Sequence, residues 1–384
     1  MDLEKKVITV LQENKIEYAL TLPCAKIKRL IVLASENFEH IPLSREEEGI
    51  GIASGLYLAG KRSILMMQSG GIGNSLNALL SLAQVYQIPI PMIISWRGVY
   101  KEKIEAQKPM GEYLPAIFDA VKLPHVLVEE EQDLWKIKDA ITRSYEEKIP
   151  IGILISPKFW EASIPDEVDN IIEQTLEAPS RKDTVNAFQP STVNDPSLIR
   201  YEAIEAAVDY LNGKIVISNI GIPSKELYEL CDQESNFYML GSFGMASPIG
   251  LGVALAQENE VIVLDGDASI LTNPNILGTI SLLKEKCKNL TIVLLDNGTC
   301  GSTGNQETLA LTTLDLEVIA QAFGICATQK VYTKEEILEA LQRDIPGPKL
   351  NHVIIKAGQK PEIQNVPLTA VEIKKRFMAY FKKT

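Results

Sequence analysis

Short apolar runs of strand character recur along the chain at 18–22, 63–67, 91–95, 126–128 and 151–155, and again at 215–218, 261–264, 291–295 and 352–356. Between them, apolar residues return every three or four positions, the helical period. The opening residues, MDLEKKVITVLQENK, show that period as an amphipathic helix, and Ile276, Leu277, Ile280 and Leu283 show it again further on. Strands alternating with helices predict parallel, helix-covered sheets, and two separated series predict two of them. From 163 to 198 the pattern lapses. Pro, Asp, Asn, Ser and Thr dominate there without a sustained apolar period, which reads as a linker. The expected architecture is therefore α/β, with two doubly wound parallel-sheet domains at 1–165 and 200–384 joined by a linker at 166–199. No sequence repeat is evident.

Two runs of the second series end in oxygen-rich turns. Asp265-Gly266-Asp267-Ala268-Ser269 follows the run at 261, and Asp296-Asn297-Gly298-Thr299 follows the run at 291. With a helix between them, these form a β-α-β unit whose turns lie at the carboxyl ends of neighbouring strands, where open α/β sheets bind ligands. The carboxylate of Asp267 and the carboxamide of Asn297 can there share one hard cation. All-oxygen ligation with few protein groups suits Mg²⁺ bridging to a diphosphate. The plainer alternative is an ordinary pair of turns with Asp and Asn as solvated caps.

The first series carries a second constellation. In LSREEEGIGIASGLYLAGK (43–61), Ser44 is a candidate helix N-cap and Glu46, Glu47 and Glu48 fall in the first turn, where carboxylates are favoured for the helix dipole alone. The segment 66–82 places Gly70, Gly71 and Gly73 between a strand and an apolar helix; its spacing is not GxGxxG and no Walker lysine follows. Asn74 is a candidate polar contact or a helix cap. Arg97 follows a strand end and offers a fork-shaped donor for an oxyanion. Lys26, Lys28 and Arg29 follow another strand end, where an amphipathic helix would leave most of them in solvent.

Composition narrows the classes. The 384 residues carry a net charge of −12, which argues against nucleic acid and anionic membranes as partners. The five cysteines form no CxxC pair and point to reduced thiols in a cytosolic setting. No apolar run approaches the ~20 residues of a membrane span. The three histidines, at 40, 125 and 352, have no metal-ligand spacing.

The Gly-Asp-Gly-like turn followed about thirty residues later by Asn resembles the thiamine-diphosphate motif. That resemblance implies Asp267, Asn297 and the Thr299 carbonyl as Mg²⁺ ligands, with Ala268 standing where the motif usually has Gly. It also implies Glu46, nine residues before Gly55, as the carboxyl group that shares a proton with the cofactor's pyrimidine ring, in a poorly solvated cleft, with Glu47 and Glu48 as solvated neighbours. Gln68, Ser69, Gly70 and Asn74 become candidate cofactor contacts on the pyrimidine side. Gly241, Phe243, Gly266 and Ser269 join Ala268 around the rest of the cofactor, with core packing as the competing role for Phe243.

LPCAKIKRL (22–30), REEEGIGIASG (45–55), GGIGNSLNALLSL (70–82), SWRG (95–98), SNIGIPSKELY (218–228), NFYMLGSFGMASPIGLG (236–252) and LDNGTCGSTGNQ (295–306) together resemble the sulfopyruvate decarboxylase family, with phosphonopyruvate decarboxylases as near relatives. The likeness implies an α-like pyrimidine-binding domain fused to a β-like diphosphate-binding domain, with no large middle domain. It implies non-oxidative decarboxylation of 3-sulfopyruvate to sulfoacetaldehyde on the route to coenzyme M. Arg97 and Lys28 are then candidates for binding this small anionic 2-oxo acid. It further implies at least a homodimer, with active sites between chains. A nicotinamide oxidoreductase would need a GxGxxG with an acidic residue ~20 positions on, and the chain has none. A catalytically silent cofactor-binding homologue is the remaining alternative.

Overall fold

The computed structural model describes residues 2–163 and 195–383. They form two compact units, one of residues 2–57 and 61–163, the other of 195–383 with 58–60. Most of the expected linker, 166–194, lies outside the described residues; 195–199 have no regular secondary structure.

The first unit is built on six strands: β1 (Tyr18–Thr21), β2 (Glu39–Pro42), β3 (Ser63–Gln68), β4 (Ile90–Ser95), β5 (His125–Val128) and β6 (Pro150–Ile155). Their order across the sheet is β2-β1-β3-β4-β6-β5, with every pairing parallel. β4 and β6 are buried at every position, which is why they read as continuous apolar runs rather than as alternation. The opening helix, Leu3–Glu13, begins at Asp2, whose side chain accepts from the Lys5 amide at 3.0 Å. Its apolar stripe places Leu3, Val7 and Leu11 in one buried cluster with Leu30, Ile64, Ile93 and Ile153. Each such side chain stabilises the fold by about 1.5–3 kcal/mol.

The second unit contains β7 (Ile215–Ser218), β8 (Asn236–Tyr238), β9 (Val261–Gly266), β10 (Leu290–Asp296), β13 (Ala327–Val331) and β14 (Lys349–Ile354). They form one parallel sheet in the order β13-β14-β10-β9-β7-β8. A two-stranded antiparallel ribbon of β11 (Thr299–Cys300) and β12 (Gln306–Glu307) follows β10. Numbered within its unit and read from the other edge, this sheet has the same order as the first. In both, the winding direction reverses between the first and third strands, and ligands of such sheets bind beyond the carboxyl ends at that reversal.

Three strands were silent in the apolar pattern: β2, β8 and β13. All three are edge strands; β2 and β13 carry polar residues at half-buried or exposed positions, and β8 is only three residues long. β14 begins at Lys349 rather than at 352, because Lys349 and Asn351 are buried polar residues that hide its start. The helical stretch between β9 and β10 is broken into Asp267–Thr272 and Asn275–Leu282. Pro274 causes the break, since the residue before a proline is disfavoured in helical geometry; Asn273 accordingly sits at φ −143, ψ 57. Among the described residues, no helix is long and apolar enough to cross a membrane.

Candidate active site

In the second unit, β7 is followed by Asn219, β9 runs into the 265–269 turn and β10 into the 296–299 turn. Asn219, Phe243, Asp267, Ala268, Asn297 and Thr299 line one hollow of 250 Å³, together with Gly266 and Ser269. Gly241 does not line it. Phe243 is 39 % exposed, so it faces the hollow and does not pack in the core. Ala268 lies inside the helix Asp267–Thr272 and has no positive φ, so its methyl group is unstrained where the motif usually has glycine.

The two aspartates of the first turn have separate roles. Asp265 is fully buried and accepts from the Ser247 hydroxyl at 2.6 Å and from the Gly266 amide at 2.9 Å, so it braces the turn; burial pushes its carboxyl above the ordinary range. Asp267 is 3 % exposed and accepts from the Thr308 hydroxyl at 2.5 Å. Burial pushes the Asp267 carboxyl up to about 6, the Asp296 charge adds to the rise, and the Thr308 hydroxyl opposes it. A carboxylate held this way is most readily stabilised by a cation. Asn297 is 6 % exposed, with only long contacts to Thr299, at 3.3 Å from its amide nitrogen to the hydroxyl and 3.4 Å from the Thr299 amide to its oxygen. Among the described residues no three His, Cys, Asp or Glu side chains gather as a metal cluster. The donors here are one carboxylate, one carboxamide and backbone carbonyls, which fit a hard cation whose remaining ligands come from a bound phosphate-type oxyanion.

The turn that presents Asn297 depends on a glycine. Gly298 has φ +65, and a Cβ there would lie 2.4 Å from Leu311 Cδ1. Its amide donates to Asp296 Oδ1 at 3.0 Å.

In the first unit, Glu46 opens the helix Glu46–Leu58 and is 5 % exposed, in keeping with a poorly solvated carboxyl group. Asn74 Nδ2 donates to its Oε2 at 2.9 Å. A Cβ on Gly71 would lie 2.6 Å from Glu46 Cγ and 2.7 Å from Met67 Sδ. The glycine loop after β3 thus makes room for the Glu46 side chain. Glu48 corrects the expectation of a solvated neighbour: it is fully buried and accepts from the Ser44 amide at 2.7 Å and the Ser44 hydroxyl at 3.0 Å. Ser44 is therefore a donor to Glu48. Glu47 is half-buried beside Arg45.

Two other expected contacts in this unit, Ser69 and Arg97, have protein partners. Gln68 ends β3, half-buried, and Gly70 starts the following helix. Ser69 is fully buried; its hydroxyl donates to the Ser95 and Arg97 carbonyls at 3.1 and 3.3 Å and accepts from the Arg97 amide at 2.8 Å, tying β3 to the end of β4. Arg97 corrects the expectation of an open fork. It is 6 % exposed and donates to both oxygens of Glu102, from Nε at 2.7 Å and from a terminal nitrogen at 3.0 Å. That ion pair lowers the Glu102 carboxyl to about 2 and raises Arg97. Lys26 and Lys28 are exposed, whereas Arg29 is buried between Asp2 and Glu4. Lys28 stands at the rim of a hollow beyond β1 that Pro23 and Cys24 also line. His40 is a packed histidine bonded to Thr21 at 2.8 Å.

Sequence reasoning gave no role to Thr308, His352 or Glu102, and Asp296 entered only as a member of an oxygen-rich turn. Thr308 reaches Asp267 from a loop 41 residues away, and no local period marks such a contact.

Comparison with known proteins gives this geometry a class. Residues 1–122 match the N-terminal TPP binding domain of thiamine pyrophosphate enzymes, and residues 223–355 match their C-terminal TPP binding domain. The chain is 43% identical to the sulfopyruvate decarboxylase of Methanosarcina acetivorans, over 97% of this chain and 96% of that one. Its halves align separately with subunits of the Methanococcus maripaludis sulfopyruvate decarboxylase. The α subunit is 38% identical over 42% of this chain and 98% of its own length; the β subunit is 42% identical over 48% and 99%. A phosphonopyruvate decarboxylase of Streptomyces viridochromogenes is 30% identical over 94% of this chain and 90% of its own. The thiamine diphosphate-dependent 4-hydroxybenzoylformate decarboxylase of Rhodococcus jostii RHA1 shares the fold, with a TM-score of 0.71 at 14% identity over 94% of this chain and all of that one. The chain is thus built as a thiamine pyrophosphate enzyme, with both TPP binding domains in one polypeptide. It belongs to the sulfopyruvate decarboxylase family, with the α-like and β-like halves fused.

Proposed function

We propose that this chain decarboxylates 3-sulfopyruvate to sulfoacetaldehyde and CO₂, using thiamine diphosphate and Mg²⁺. The observation that carries the reading is the buried Asp267 sharing a hollow with Asn297 and Thr299 at the sheet's point of reversal, in a chain 43% identical to a sulfopyruvate decarboxylase along nearly its whole length. Asp267, Asn297 and the Thr299 carbonyl would hold Mg²⁺ against the diphosphate, with Gly266, Ala268, Ser269 and Phe243 lining the hollow. When bound, the cofactor supplies an electron-accepting centre that takes up the electron pair left as CO₂ departs. With the cofactor bound, Glu46 would hold a proton for its pyrimidine ring. Asn74 occupies its Oε2 and so leaves Oε1 for that proton. Burial of Glu46 keeps water from competing for it.

With Arg97 engaged by Glu102, Lys28 is the better candidate for the substrate's sulfonate. Arg97 instead holds the end of β4 in place. The proposal includes a homo-oligomer in which Glu46 of one chain serves the Asp267 hollow of another. It also includes a cytosolic location, in keeping with five unpaired thiols.

The test is direct. Denatured protein should release thiamine diphosphate, detected as fluorescent thiochrome after oxidation, and the holoenzyme should release CO₂ faster from 3-sulfopyruvate than from phosphonopyruvate. A reversed preference would make it a phosphonopyruvate decarboxylase. Failure to bind cofactor and Mg²⁺ would remove the catalytic reading.

A further inference from the structure

We propose that His352 is a positioning residue for the metal-binding turn, acting through Asp296 to fix the orientation of Asn297 and the Thr299 carbonyl. The inference rests on the cofactor reading above and extends it to a residue that touches neither metal nor substrate.

The geometry forms a continuous relay. His352 lies in β14, in register with Leu294 of β10, and is 2 % exposed. Its Nε2 donates to Asp296 Oδ2 at 2.7 Å. The other carboxylate oxygen of Asp296 accepts from the Gly298 amide at 3.0 Å, and its backbone carbonyl accepts from the Ile355 amide at 2.9 Å. Asp296 is therefore anchored on three sides, two of them from β14 and the residue after it. Asn297 is the next residue, and Gly298, with its positive φ, is the residue that turns the chain towards Thr299.

The chain extends behind the imidazole as well. His352 Nδ1 faces Asp315 Oδ1 at 3.9 Å without a hydrogen-bond partner, and Lys330 Nζ donates to Asp315 Oδ2 at 2.6 Å and lies 3.9 Å from Glu317. His352, Asp296, Asn297, Thr299, Asp315 and Lys330 all line a hollow of 660 Å³ on this side of the turn. Each carboxylate oxygen of Asp296 accepts a hydrogen bond, one from His352 and the other from the Gly298 amide. Without the His352 donor, one of those oxygens would be buried without its partner and the carboxylate free to rotate, taking the Gly298 amide with it. Partners of this kind, one shell behind the ligands, commonly alter metal affinity by about 10–100-fold.

The experiment uses Mn²⁺ as the probe. Full-length protein is stripped with chelator and supplied with thiamine diphosphate. Mn²⁺ binding is then followed by the electron paramagnetic resonance of the free ion for wild type, His352→Phe and His352→Gln. His352→Phe fills the site without a donor, and His352→Gln keeps an N–H. The expected result is a 10–100-fold weaker Mn²⁺ affinity for His352→Phe, a near-normal affinity for His352→Gln, and recovery of most of the His352→Phe turnover at saturating metal. Equal affinities across all three proteins would overturn the inference. So would equal weakening of both variants, which would mean that shape rather than the donor matters. If wild type itself takes up no Mn²⁺ beside thiamine diphosphate, the metal reading falls first and this inference with it.

Discussion

The two sheets share one winding order and differ in what their carboxyl ends do with polar side chains. Beyond β9 and β10, the buried Asp267 and Asn297 line an open hollow. Beyond β3 and β4, Ser69 is bonded to backbone, Arg97 to Glu102, and Glu48 to Ser44. Glu46 there accepts from Asn74 and sits in the space left by Gly71. The shared topology says where a ligand binds, and the turn residues say what kind. On the proposed reading, one unit would grip an anionic group through a metal, and the other would present a single sheltered carboxyl group.

The sharpest way to break this comparison is to disable each unit separately. Glu46→Gln should keep thiamine diphosphate and metal while turnover falls about 10²–10⁴-fold, the usual contribution of a positioned acid–base group. Asp267→Ala should instead lose retained cofactor, read by thiochrome after gel filtration. Mixing the two inactive chains should restore part of the activity in verified mixed oligomers. Loss of cofactor from Glu46→Gln, or its retention by Asp267→Ala, would show that the division of labour is drawn wrongly.

A smaller effect separates the two glycines. Gly71→Ala presses a methyl group against Glu46 and Met67, so it should cost about 1–3 kcal/mol in denaturant unfolding and lower turnover with little change in Mg²⁺ affinity. Gly298→Ala strains a positive φ against Leu311 and should act chiefly on Mg²⁺ affinity. Swapped readouts would contradict the assignment of each loop.

The mildest expected effect concerns pH. Glu102 has its carboxyl lowered from 4.5 to about 2 by Arg97. Its contribution to stability is therefore full above about pH 4.5 and disappears as the pH falls towards 2. Acid titration of Glu102→Gln, followed by circular dichroism, should show a shallower loss of stability across that window than wild type. Parallel curves would mean that the pair does not hold the end of β4 as described.

Much of this was legible along the chain because it is local. Buried central strands such as β4, β6 and β10 announce themselves as apolar runs, and the turns after β9 and β10 carry oxygen-bearing residues at motif spacing. The strands β2, β8 and β13 gave no such signal, since β2 and β13 mix polar with apolar residues and β8 spans only three positions. Ala268 looked anomalous in the motif until its helical φ removed the difficulty.

The sequence by itself determined the α/β architecture, the two units, the family and the residues at the ends of the central strands. The architecture, the units and the strand ends follow from periodicities of two and 3.6 and from turn chemistry, read within a few neighbouring positions, and the family from the resemblance of motifs along the chain. Only the tertiary structure decided which polar groups remain available. Thr308 reaches Asp267 across 41 residues, His352 reaches Asp296 across 56, and Asn74 reaches Glu46 across 28. Such hydrogen bonds form because buried polar groups must find partners wherever the packed strands bring them, and sequence separation carries no record of where that will be.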